Sequence, residues 1–114
     1  MNPKEAYNAQ IEPLCAARNR ACNAARAKCR AARAEVHARY AGLPRIDQDA
    51  RGGWSARCVR EDAKNAELAG LDREYGAACD AAQEAFRAAA APAFALVPGL
   101  QLIEREVAFR IVWD

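Results

Sequence analysis

The stretch from Cys15 to Tyr40, CAARNRACNAARAKCRAARAEVHARY, decides the fold. It contains neither glycine nor proline, and alanine, arginine, glutamate and lysine, all strong helix formers, fill most of it. At 100° per residue Ile11, Cys15, Cys22, Ala25, Cys29, Ala32, Val36 and Tyr40 gather into one stripe, in steps that mostly alternate between three and four. Such a stripe resembles a coiled-coil seam made of small side chains, which lets two helix backbones approach closely. Arg18 falls on the same stripe, where an apolar residue is expected.

Outward from this stretch, helical composition extends back to Pro3 and forward to Ala41, so a first helix is expected over about 3–41, with a bend at Pro13. Gly42-Leu43-Pro44 marks its end: the glycine can take the left-handed closing conformation and the proline cannot continue the ladder. A connector over 42–53 leads to a second helix over about 54–91, with Ser55 as its N-cap and Pro92 as its stop. Its seam reads Tyr75, Cys79, Ala82, Phe86 and Ala89. The fold class expected is therefore mainly α: a single domain, 1–114, formed as a long antiparallel two-helix hairpin with an alanine and cysteine seam.

The remaining segment, 93–114, reads as a short C-terminal β ribbon. Val107, Phe109, Ile111 and Trp113 alternate with Ala108, Arg110 and Val112, a period of two, and Pro98-Gly99 is a turn dipeptide, so strands are expected near 94–97 or 100–103 and at 107–113. A two-stranded ribbon is marginal alone in water. It must cover the helices or pair with another chain.

Composition narrows the function. Thirty of the 114 residues are alanine, and the large apolar and aromatic side chains number only 25, too few for the deep core most catalytic folds need. The net charge of +2 is far from the basic excess of a dedicated nucleic-acid binder. Charge is sorted, however. Residues 15–41 carry Arg18, Arg20, Arg26, Lys28, Arg30, Arg33 and Arg39 against Glu35 alone, whereas 61–84 carry seven acidic residues against Lys64 and Arg73. Opposite charges flanking a seam select an antiparallel intramolecular pair. The arginines spreading beyond it, Arg20, Arg26, Arg30 and Arg33, form a candidate docking face together with Arg18.

Folding the hairpin about residue 47 pairs position i with about 95 minus i. Cys15 then faces Cys79, a candidate thiol pair, Cys29 comes near Cys58, and Arg18 lies near position 77 with Glu74 and Asp80 in reach. Cys15, Cys22 and Cys29 are seven residues apart, about 10.5 Å along a helix, so no two of them bind one metal unaided. No close Cys-x-x-Cys spacing, phosphate loop or hydrolase elbow is present, and neither metal, cofactor nor enzymatic activity is expected. The start of the chain lacks a secretory signal and no stretch is apolar enough for a bilayer, which points to the cytoplasm and to reduced thiols.

The function expected is that of a small non-enzymatic protein-binding inhibitor, antiactivator or adaptor, a homodimer or a complex with a protein partner. Its binding residues would be the arginine face and Val107, Phe109, Ile111 and Trp113. The alanine and arginine bias suits a GC-rich bacterial, phage or mobile-element gene. A cysteine-thiolate metal or redox protein is the second reading, and a nucleic-acid binder using the basic helix the third; aromatic side chains are not interleaved with the arginines, which disfavours the latter.

Overall fold

The computed structural model describes residues 2–96, and these form a helical hairpin of two long helices, α1 (Pro3–Ala41) and α2 (Gly53–Phe94). The expected β ribbon, and with it Val107, Phe109, Ile111 and Trp113, lies outside the described residues. Residues 94–96, placed at the start of a strand by one reading of the sequence, are the last residue of α2 and a turn.

Each helix end has a local cause. Asn2 caps α1: its Oδ1 accepts from the Glu5 amide at 2.8 Å and its carbonyl takes the Ala6 amide at 3.0 Å. Pro3 then occupies the first helical position, where its missing N–H costs nothing. The asparagine and proline were visible in the sequence, although the cap was not read there. At the other end Gly42 does not adopt the left-handed conformation expected of it; the single positive-φ residue among those described is Gly52, at 76°. α1 closes instead by tightening, with the Gly42 amide on Ala38 O and the Leu43 amide on Tyr40 O.

α2 starts earlier and ends later than expected. Gly52, rather than Ser55, is the cap residue, because its carbonyl accepts the first intrahelical bond, from the Ala56 amide at 3.0 Å. Gly53 is buried against the connector, where an added Cβ would lie 1.9 Å from the Asp47 carbonyl oxygen, so only glycine fits. Nor does Pro92 stop the helix, which runs on to Phe94. A proline so near the end removes one ladder bond, and burial of Ala93 together with the Phe94 ring on Tyr7 holds the last residues in place. α1 likewise runs through Pro13.

The chain divides into two compact units through which both helices pass, one containing 2–23 and 78–96, the other Ala24–Ala77. In the first, Tyr7, Ile11, Phe86, Ala90 and Ala93 form a buried cluster, with Leu14, Cys15 and Phe94 packed against it. Phe94 is half-buried, its ring 6.3 Å from that of Tyr7. In the second unit Val36 and Leu68 are buried and the other seam residues are half-buried. A seam offers only local contacts, so one hairpin yields two contact groups.

The α1 seam is as read: every residue of the stripe is buried or half-buried. On α2 the stripe departs from expectation after Phe86. Ala89 is exposed and Ala90 is fully buried in its place. Strict alternation of three and four imposes a 3.5-residue period, whereas an α-helix turns every 3.6, so an extra step of four is needed over such a length.

The two glycines at the start of α2 make a direct test. Gly52→Ala should destabilise the protein by about 1–2 kcal/mol, the cost of a side chain in left-handed backbone. Gly53→Ala should cost more, since the Asp47 peptide must move. Denaturant titration of both variants ranks them.

Candidate functional site

The contacts between the helices set the register, and it is not the one that a fold point at residue 47 predicts. Arg18, expected near position 77, has its guanidinium 5.0 Å above the ring centroid of Phe86. In the second unit Cys29 Sγ lies 3.8 Å from the Leu71 carbonyl oxygen, Arg33 Nη1 donates to both oxygens of Asp72 at 2.8 and 3.0 Å, and Arg39 Nη2 donates to Glu67 at 2.7 Å. Every partner is farther along α2 than predicted. The cause is the connector: it does not bisect the turn but folds along the first turns of α2, where Arg60 Nη1 donates to the Pro44 carbonyl at 2.6 Å. In this register Cys15 packs against the cluster that contains Phe86, and no bridge joins it to Cys79.

This register sorts the arginines expected to form one docking face. Arg18 belongs to the seam. It is 9% exposed, lies on Phe86, and its Nε and Nη2 donate to Asn19 Oδ1 at 3.4 and 3.1 Å. Arg33 is tied to Asp72 across the hairpin. Arg20, Arg26 and Arg30 are exposed on α1. The outward basic face is therefore narrower than the seven cations of 15–41 suggest, because Arg33 and Arg39 are occupied in holding register.

A second exposed region gathers where the connector meets α2. The large apolar side chains exposed among the described residues, Leu43 at 40%, Trp54 at 63% and Val59 at 69%, are all here, and Cys58 is exposed beside them. Next to them the connector and α2 enclose an open hollow of about 860 Å³, lined by Arg45, Arg57 and Arg60 together with Asp47, Asp49 and Glu61. The mixed signs cancel, so the hollow is not an anion site.

All five cysteines are unbridged, and burial, partly offset by Arg18 and reinforced by Glu12, pushes the Cys15 thiol up. A raised thiol is a poor nucleophile at neutral pH. Among the described residues no group of three or more His, Cys, Asp or Glu side chains could hold a metal ion, and no helix is long and apolar enough to cross a membrane.

The clearest electrostatic cluster joins Tyr40, Arg39 and Glu67. The Tyr40 hydroxyl, and then the Arg39 guanidinium, hold the Glu67 carboxyl below its ordinary value, and the same contact raises the Tyr40 phenol. Comparison with known protein families, with curated proteins and with solved structures finds no match to this chain.

Because the Glu67 pKa is depressed on folding, its contribution to stability is complete above pH 4.5 and is lost as pH falls through the folded value. The raised Tyr40 phenol works in the opposite sense: its contribution is present below pH 10 and is lost as pH rises through the folded value. Tyr40→Phe should therefore flatten both limbs of a melting-temperature against pH profile, leaving on the alkaline side the part due to Tyr7, whose phenol is raised by burial.

Proposed function

We propose that this chain is a small non-enzymatic protein-binding module, an inhibitor, antiactivator or adaptor, that docks on a protein partner through the connector end of the hairpin and the outward arginines of α1. The observation that carries this reading is the exposure of Trp54 at 63%, with Leu43 and Val59 exposed in the same unit. Tryptophan and arginine are the side chains that most often dominate binding energy at protein interfaces, and Arg51 and Arg57 are exposed in the same part of the chain. The fold supports the reading too. Along its described residues the hairpin's interior is a closely packed seam of small side chains, and its long outer faces present side chains in fixed order.

The reading extends to the segment beyond residue 96. Val107, Phe109, Ile111 and Trp113 supply an alternating strand that can add to a partner's sheet or pair with its own copy, so a homodimer is part of the proposal. The thiols are proposed to be reduced in a cytoplasmic setting, and the alanine and arginine bias supports a bacterial, phage or mobile-element origin. Nucleic acid is the less favoured partner, because two of the arginines that would serve it, Arg33 and Arg39, are engaged with carboxylates.

The test is affinity capture from the native host with the full chain, with Trp54→Ala and with a chain ending at Glu106. A partner retained by the full chain and lost at least tenfold with Trp54→Ala, at unchanged melting temperature, supports docking at the connector end. Loss only on truncation, with helicity and melting temperature kept, assigns docking to the terminal strand. Undiminished capture by both variants, or retention of nucleic acid alone in a salt-sensitive manner, overturns the proposal.

A further inference from the structure

The unit containing 2–23 and 78–96 holds three of the five cysteines, Cys15, Cys22 and Cys79, and its register decides which two face each other. Tyr7 and Phe94 are in ring contact across the seam. Cys22 lies fifteen residues after Tyr7 on α1, and Cys79 fifteen residues before Phe94 on α2. Ile11 and Ala90, which share one buried cluster, stand eleven residues from the same two cysteines, again equally on both helices. Eleven residues are close to three whole turns, so both cysteines fall on the faces that Ile11 and Ala90 occupy and at the same level as each other. Both are half-buried.

The alternatives within the unit fail on the same grounds. Cys15 and Cys22 share a helix and are about 10.5 Å apart along it. Cys15 is packed against the cluster of Tyr7, Ile11, Phe86, Ala90 and Ala93, and Phe86, its member nearest to Cys79 in sequence, is seven residues away, which again makes about 10.5 Å along α2. The neighbours of the facing pair are small, Ala25 on α1 and Ala78 and Ala82 on α2, so the backbones can come as near as a disulfide demands.

We propose that Cys22 and Cys79 form a thiol oxidation site, a dithiol that a low-molecular-weight disulfide converts to a cross-helix disulfide. The thiolate of one cysteine attacks a sulfur of the external disulfide, forming a mixed disulfide and releasing one small thiol. The second cysteine attacks the protein sulfur of that mixed disulfide, the Cys22–Cys79 bond forms, and the second small thiol leaves. The protein loses two electrons and two protons, and both end up on the two released thiols. Closure ties α1 to α2 across a long loop and thereby constrains the unfolded chain. The site is independent of the protein-binding reading above.

The experiment uses the full chain, fully reduced and then exposed at low protein concentration to oxidised glutathione, with remaining thiols alkylated. Tryptic digestion without reductant should yield peptide 21–26 joined to peptide 74–87, from monomeric protein and with the loss of two hydrogens, and the oxidised protein should melt at a higher temperature than the reduced one. Cys15→Ser should keep this cross-link and Cys22→Ser should abolish it. Peptide 5–18 joined to 74–87, cross-links confined to covalent dimers, or glutathione adducts on both cysteines without a bridge would each overturn the proposal, and they are read from the wild-type chain whether or not the variants fold.

Discussion

The close approach of two helices along a seam of small side chains is the constraint on which everything else depends. Alanine and cysteine gain little by burial, since a methyl or thiol removes only modest apolar area from water. The seam therefore permits proximity without dictating alignment, and alignment must come from the few large side chains. In the unit containing 2–23 and 78–96, Tyr7, Ile11 and Phe86 do this, with Tyr7 and Ile11 each 1% exposed and Phe86 3%. Arg18 contributes to the same end. A guanidinium stacked on a ring keeps its charge while shedding water, so it substitutes for the apolar residue that the stripe calls for.

In the other unit fewer of the large side chains are buried, Val36 and Leu68, and charge takes over the task. Arg33 with Asp72 and Arg39 with Glu67 are exposed pairs, each worth little as a stabilising contact. Their value lies in direction. The basic side of α1 meets the acidic side of α2 at these rungs, and a slip by one turn would place the arginines opposite residues such as Ala69 and Lys64 instead of carboxylates. The sorting of charge between the helices thus has a structural use, and cations that serve it are withdrawn from any docking face.

Periodicity made the helices and the α1 stripe legible, because both depend on local geometry that repeats every 3.6 residues. Register was not legible, because it depends on how the connector runs. A symmetric turn about residue 47 was the simplest assumption, and the Arg60 contact with Pro44 together with the fit of Gly53 against Asp47 shows a connector laid along α2 instead. One misplaced turn then misassigned the partners of Arg18 and Cys15 together. The same dependence on tertiary contact hid the true end of α2, where packing of Ala93 and Phe94 outweighed the proline. Ser55 looked like a cap because serine often is one. Gly52 and Gly53 prevailed because the backbone there needs a positive φ and then no side chain at all.

The register also explains where the apolar surface has to be exposed. With Arg39, in the last turn of α1, beside Glu67, the earlier residues of α2 from Gly53 onward extend past the end of α1. Only the connector accompanies them, and it covers one side, through Asp47 and Pro44. Trp54 and Val59 remain 63% and 69% exposed on this overhang. A helix could avoid this cost by placing polar residues on the overhang, as α2 does with Arg57 and Glu61. A tryptophan and a valine stand there instead, and the docking role proposed for this end of the hairpin would give them a use, since an exposed apolar side chain gains free energy when another molecule removes it from water.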